Sequence, residues 1–202
     1  LYRPTNKAHT NGTLKIIYVG NIDRERLPLN ILHEIEELLT SRSNMRFFAY
    51  APETQVNRLR ASELLRIFES RQFHITVRNL SERDKLRIYN TGDVFVFPYV
   101  KNVLSKRLII DPPLVPLEIM ACSGIVFASN VLSLPRIIED GRNGFLFDPE
   151  KPKEFNERLS YIIDHLHDLK EVRKRARSRI EESFSRKIAS KKTIEVYESV
   201  LR

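Results

Sequence analysis

Apolar positions along the chain fall into two alternating patterns. Leu14-Lys-Ile-Ile-Tyr-Val19 is a short, near-continuous apolar run closed by Gly20, the signature of a strand covered on both faces. Asn30 to Leu39 then sets Ile31, Leu32, Ile35, Leu38 and Leu39 on one side at helical spacing. Met45-Arg-Phe-Phe-Ala-Tyr50 is the next strand, Ala61 to Phe68 the next helix, and His74-Ile-Thr-Val77 a third strand. Glu82 to Tyr89 predicts a short helix, and Val94-Phe-Val-Phe97 a fourth strand stopped by Pro98. Pro116 to Ala121 starts a helix that ends at Gly124, and Ile125-Val-Phe-Ala128 is a fifth strand. A short helix ending at Asp140-Gly141 follows, and the turn Asn143-Gly144 leads into a small strand. From Pro152 the pattern is helical throughout. Phe155, Leu159, Ile162, Ile163 and Leu166 form one stripe, and a last amphipathic helix carries Ile194, Val196, Tyr197, Val200 and Leu201. Strands alternating with helices in this way predict an α/β domain, an open parallel sheet with right-handed crossovers and helices on both faces, ending in C-terminal helices.

The polar stretch 1–13, ending in Thr10-Asn11-Gly12, reads as a linker, and 14–202 as one domain. A chain of 202 residues with 42% hydrophobic and 30% charged positions can build a substantial core, which excludes wholesale disorder. Its first residue is Leu, so the expectation is a piece of a longer chain or a processed one. No apolar run reaches the roughly 18–20 residues of a membrane helix, and Leu1-Tyr-Arg-Pro4 is not a signal peptide. The single cysteine, Cys122, excludes an internal disulfide framework and a cysteine-based zinc site, and reads as a packing residue. A reducing, cytoplasmic setting is the expectation.

Lys and Arg outnumber Asp and Glu by 34 to 26, a net charge of +8. Such an excess suits either a polyanionic partner or a basic helical face. The dense cluster, Lys170-Glu-Val-Arg-Lys-Arg-Ala-Arg-Ser-Arg179, is flanked by Asp164, Asp168, Glu181 and Glu182, as in a solvated helix. A basic nucleic-acid-binding module on that helix is a function class to weigh. Its aromatics are not interleaved with the basic residues and no recognised motif is present, so no nucleic-acid partner is expected. His9, His33, His74, His165 and His167 are scattered, and no Asp-x-Asp motif or His/carboxylate cluster points to a metal site.

Ligands of an open α/β sheet bind beyond the carboxyl ends of its strands. Three loops there carry chemistry. Gly20-Asn-Ile-Asp-Arg-Glu-Arg26 combines a glycine that lets phosphate near the backbone with Arg24 and Arg26 to neutralise it. Neither G-x-G-x-x-G nor a P-loop is present. Around Pro116, the amides of Leu114 and Val115 point along the positive end of a helix dipole, and Glu118 one turn in can accept both hydrogens of a diol. An acidic residue near a helix start is also favoured by the dipole alone. Ser133 to Asp148 forms the third loop.

The ordered combination of motifs resembles the nucleotide-sugar half of glycosyltransferase family 4. The resemblance rests on Val115-Pro-Leu-Glu-Ile-Met-Ala-Cys-Ser-Gly-Ile-Val-Phe-Ala-Ser129 followed by Leu134-Pro-Arg-Ile-Ile-Glu-Asp-Gly-Arg-Asn-Gly-Phe-Leu-Phe-Asp-Pro149. Tyr18-Val-Gly20, the run Leu80 to Tyr89, Gly92-Asp-Val-Phe-Val-Phe-Pro98, Phe184-Ser185 and Tyr197 extend it over nearly the whole chain. It implies the C-terminal, Rossmann-like domain of the two-domain GT-B architecture, which binds a nucleoside-diphosphate sugar while a separate N-terminal domain, absent from this chain, binds the acceptor. The implied reaction is sugar transfer from a UDP- or GDP-type donor to a hydroxyl, with retention and without a metal or cofactor. This half alone is expected to bind donor but not to transfer.

Carried over by position, Gly20 ends the first strand and Arg26 matches the family's phosphate-binding lysine. Glu118 matches the second glutamate of the E-x7-E pair, which holds the ribose. Leu114 and Val115 match the amides at the diphosphate, and Leu80 and Lys85 lie where the family lines the base pocket. Departures are equally clear. Asn21 stands where the family has arginine, and position 110, where the first glutamate falls, is Ile110. Asp111 is one residue out of register and could substitute through a small loop shift. The usual glycine of G-G-I-P is Ser133 or Leu132. These departures motivate a second reading, a non-catalytic scaffold that keeps the fold. The basic tail suggests peripheral contact with the cytoplasmic face of an anionic membrane.

Overall fold

A computed structural model of the protein describes residues 2–4, 12–55, 71–100 and 111–200. Its elements are β1 (Leu14–Val19), α1 (Leu29–Ser41), β2 (Met45–Ala51), a 3-10 turn at Glu53–Gln55, β3 (Phe73–Val77), α2 (Glu82–Thr91) and β4 (Val94–Phe97). There follow α3 (Leu114–Ala121), β5 (Ile125–Ser129), α4 (Leu134–Ile137), β6 (Phe145–Phe147), α5 (Pro152–Asp164), α6 (Lys170–Ser183) and α7 (Arg186–Val200). The helix expected over Ala61–Phe68 lies outside the described residues.

The six strands form one parallel sheet in the order β3-β2-β1-β4-β5-β6. The chain winds outward from β1 to β3, returns to lay β4 beside β1, and winds out the other way to β6. That reversal opens a crevice at the carboxyl ends of β1 and β4, the switch point of a doubly wound sheet. Helices cover both faces, so every residue of β4 and β5 is buried, which is why those strands read as unbroken apolar runs. Strand β2 instead alternates buried and half-buried positions.

The stripe predicted for α1 is buried residue for residue, and the helix packs on α5. Arg42 at its end makes a forked ion pair with Asp164 at the end of α5, one arm 2.9 Å long. Phe127, Phe147 and Phe155 lock β5, β6 and α5 together with ring centroids 4.8–5.1 Å apart. On the other side α3 lies against α2 and α6. Gly124 makes the tight return from α3 to β5: a Cβ there would sit 2.4 Å from Ile119 Cγ2 and 3.1 Å from the Ile119 carbonyl. The residue before it, Ser123, takes a left-handed φ of 57° to end the helix.

Two expectations need correcting. The basic cluster is not simply a solvated face. Arg173 is half-buried and reaches the Asp93 carbonyl, Arg177 donates to the Ala121 carbonyl at 2.6 Å, and Arg179 donates to the Arg136 carbonyl at 2.8 Å. Burial also pulls the Arg173 pKa below its ordinary value. The apolar stripe of α7 buries nothing among the described residues: Ile194, Val196, Tyr197 and Val200 are all exposed.

Candidate functional site

The loop after β1 is tied down at several points. Gly20 donates its amide to the Tyr50 carbonyl at 3.0 Å, with a φ of +153° that suits glycine. Tyr18, fully buried, donates its hydroxyl to the Asn21 carbonyl. Asp23, only 8% exposed, organises the rest. Its Oδ1 accepts the amides of Glu25 at 3.2 Å and Arg26 at 2.9 Å, and its Oδ2 pairs with the Arg26 guanidinium. The Val100 amide, just past β4, donates to the Glu25 carbonyl at 2.8 Å and staples the two halves of the switch point together. Tyr99 is buried beside Phe97 and feels the charges of both Arg26 and Asp23. Burial drives the Tyr18 and Tyr99 hydroxyls above the usual tyrosine range.

A second cluster lies between α2 and α3. Leu80, half-buried, precedes a reciprocal cap in which Ser81 Oγ accepts the Asp84 amide at 3.1 Å while the Asp84 carboxylate accepts the Ser81 amide at 3.2 Å. The helix so started puts Glu82, Lys85 and Tyr89 on one face. Lys85 Nζ donates to Glu82 Oε1 at 2.7 Å, which raises the lysine pKa. Tyr89 Oη donates to Glu118 Oε2 at 2.9 Å; burial and then the Glu118 charge raise its pKa. Tyr2 joins from the chain's beginning. Its hydroxyl donates to Glu82 Oε2 at 2.6 Å, and its ring lies 5.7 Å from that of Tyr89.

Helix α3 starts two residues earlier than expected, with Pro113 as its N-cap residue. It has no side-chain cap and no acidic residue in its first turn. The amides of Leu114 and Val115 therefore lie at an uncapped positive helix end, beside a Leu114 side chain that is 60% exposed. Asp111 is engaged elsewhere: its carboxylate accepts the Ser133 amide at 3.1 Å and the Ser133 hydroxyl. Leu132 beside it takes a φ of 57°, so of the two positions offered for the usual glycine it is Leu132 that adopts the glycine-like conformation. Ile110 lies outside the described residues.

The structure thus sorts the sequence candidates into a group in the loop after β1 (Gly20, Asn21, Arg26) and a group around Glu118 (Leu80, Lys85), with Leu114 and Val115 at the start of the Glu118 helix. It adds Asp23 and Tyr99 to the first, and Tyr2, Glu82 and Tyr89 to the second. Helical spacing of Glu82, Lys85 and Tyr89 carried a signal for the latter pair; nothing in the polar beginning of the chain marked Tyr2.

A doubly wound parallel sheet bearing these two groups at its carboxyl edge defines a GT-B-like glycosyltransferase domain of Rossmann-like fold. The chain belongs to the family described as Glycosyl transferases group 1, which it matches over residues 13–165. It is 27% identical over 193 residues to an alpha-maltose-1-phosphate synthase of Mycolicibacterium smegmatis, covering 92% of this chain and 48% of that protein. The chain spans about half the length of the curated relatives it matches. Its fold is similar to the C-terminal domain of a glycosyl transferase group 1 family protein from Francisella tularensis (TM-score 0.72, 15% identity, 92% of this chain and 96% of that one). It is also similar to Anabaena HepE, solved in complex with UDP and glucose (TM-score 0.74, 12% identity, 93% and 49%).

Proposed function

We propose that this chain is the donor-binding, C-terminal half of a retaining family 4 glycosyltransferase that acts on a UDP- or GDP-sugar. The observation that carries this reading is the uncapped start of α3 with Glu118 one turn in, on the helix that follows β4 at the switch point. The ribose diol donates to Glu118, the diphosphate lies against the Leu114 and Val115 amides and Arg26, and the base lies toward Leu80 and Lys85. In the reaction the bond between the anomeric carbon and the diphosphate oxygen breaks. The acceptor oxygen bonds the same carbon on the same face, the acceptor proton is released, and a nucleoside diphosphate leaves. Arg26 and the positive end of α3 stabilise the charge that grows on the leaving group. Charge stabilisation is thereby assigned to the protein rather than to a metal ion.

The acceptor belongs to a second domain, and the exposed apolar residues of α7 suit a surface covered by such a partner. The proposed setting is the cytoplasm, with the basic tail against an anionic membrane face. Titration calorimetry with UDP and GDP tests the donor site. Glu118→Ala removes two hydrogen bonds to a charged acceptor and is expected to weaken binding about 100-fold. An intact chain that binds neither nucleotide would refute the reading.

A further inference from the structure

Glu118 is half-buried on α3, and its carboxylate is held from one side. Tyr89, in the last turn of α2, donates its hydroxyl to Oε2 at 2.9 Å, while Oε1 accepts no hydrogen bond from any described residue. The tyrosine has little freedom of its own. It is fully buried, its ring edge-on to Phe95 of β4 at 6.3 Å and tilted against Tyr2 at 5.7 Å. Its helix is fixed at both ends. The reciprocal Ser81–Asp84 cap starts it, and Gly92 ends it where a Cβ would sit 2.4 Å from Phe95 Cζ and 2.7 Å from Ile17 Cδ1. Burial, and then the Glu118 charge, raise the Tyr89 pKa, so the hydroxyl stays a donor.

A glutamate side chain turns about three bonds, and the last of them is a broad, shallow rotor. A vicinal diol presents two O–H groups in one fixed relation, so it bonds a carboxylate fully only when that carboxylate is held at a matching angle. A single hydroxyl makes no such demand, because a free carboxylate can turn to follow it. Of about four lone-pair positions on a carboxylate, Tyr89 takes one and leaves enough for both hydroxyls of a diol. The bond therefore fixes the rotor without using up an acceptor that the ligand needs.

We infer that Tyr89 is a positioning residue for ribose recognition: its hydroxyl pins Glu118 Oε2 and turns the carboxylate to meet a 2′,3′-diol. Discrimination between ribo- and 2′-deoxynucleotides then resides partly in a buried side chain that the nucleotide does not touch. This rests on the donor-site reading above and adds to it the residue that sets its preference for ribose. Tyr89→Phe keeps the ring in its packing and removes only the donor.

The test is calorimetric titration of the 202-residue chain and its Tyr89→Phe variant with UDP and GDP, and with their 2′-deoxy counterparts. The variant is expected to bind the ribonucleotide about tenfold more weakly, one charge-assisted hydrogen bond's worth, and the 2′-deoxy form about twofold more weakly or less. In a Glu118→Ala background the substitution should change neither affinity, since no carboxylate remains to be aimed, whereas a merely structural role would persist there. Thermal melting of the variant checks that the fold is intact. The parent chain supplies a measurement that needs no variant: the buried Tyr89 hydroxyl proton should give the same hydrogen-bonded NMR signal with and without saturating UDP. Loss of that signal in the complex would show the nucleotide displacing the bond and would overturn this inference. Equal affinities of parent and variant for the ribonucleotide, an equal loss for the 2′-deoxy form, or tighter binding by the variant would overturn it too, each leaving the donor site standing. No binding of any of the four nucleotides by the parent chain would overturn both.

Discussion

The pairing of Arg26 with Asp23 has a consequence for donor affinity that Asp23→Asn isolates. The two side chains are only 16% and 6% exposed, so the pair sits in a mostly dry corner where removing one charge is costly. Asparagine keeps an oxygen for the Glu25 and Arg26 amides that Oδ1 now accepts, and the turn survives. At the Oδ2 position it presents an N–H group to the Arg26 guanidinium, donor against donor, and the arginine is released. Loss of a partner in a buried pair costs roughly 3–5 kcal/mol, and the retained amide contacts bring the expected loss to about 2 kcal/mol. For a chain of this size that lowers Tm by roughly 4–8 °C.

Nucleotide affinity moves the other way. In the proposed donor site a phosphate held by Arg26 would lie about 8 Å from the Asp23 carboxylate, and at an effective dielectric of about 20 their repulsion would be about 2 kcal/mol. Solvent screening takes part of this, leaving an expected gain of about tenfold in UDP affinity. Calorimetry reads the gain directly, and a larger UDP-induced rise in Tm for the variant reads it independently. In an Arg26→Gln background, where no cation draws the phosphate toward Asp23, the gain should shrink. If Asp23→Asn lowers Tm but leaves UDP affinity unchanged or weakened, Asp23 aims Arg26 rather than masking it, and the reasoning fails.

Two other expectations follow from local geometry. Ser123 and Leu132 hold left-handed backbone conformations that cost a side chain about 1–2 kcal/mol. After the entropy of the more flexible unfolded chain is subtracted, Ser123→Gly and Leu132→Gly should each raise stability by about 0.5 kcal/mol in denaturant titrations, and a loss would refute the strain. Asp84 has its carboxyl lowered to about 2, chiefly by Arg78 and then by Ser81. Its folded pKa lies below its unfolded one, so its contribution is complete above pH ~4 and disappears as pH falls toward ~2. Asp84→Asn should flatten the stability profile in that window, and an unchanged slope would show that the cap carries no titrating charge.

Much of the fold was legible because burial follows periodicity. The α1 stripe and the unbroken runs of β4 and β5 could be read directly; the placing of β4 beside β1 could not, because the crossover rule fixes handedness and not strand order. Boundaries fared worse where side chains intervene. Proline is tolerated anywhere in a first turn, so Pro116 did not mark the start of α3 at Leu114. Helix α4 stops at Ile137, short of the expected Asp140, because Asn143 diverts its backbone: the side-chain oxygen accepts the Glu139 amide at 2.8 Å and the nitrogen donates to the Ile137 carbonyl. In the site, residues carried by motif were legible and their partners were not. Asp23 sits in the same loop as Arg26, but its burial depends on the chain returning at Tyr99 and Val100. Tyr2 meets Glu82 across 80 residues of sequence, which no local pattern encodes.

The basic cluster shows how far a composition signal can stand from its physical use. Its arginines do not all await a polyanion. Arg177, on α6, donates to the Ala121 carbonyl at the negative end of α3 and pairs with Glu181 at 2.6 Å, while the half-buried Arg173 reaches the Asp93 carbonyl just before β4. Helix α3 is therefore held by a cation at its carboxyl end and left without a side-chain cap at its amino end. That asymmetry suits an anion-binding helix: the end carrying Leu114 and Val115 has no side-chain cap among the described residues, and the helix is fixed from its other end. Part of the net charge of +8 thus serves the candidate site from behind, by holding the helix that carries Glu118.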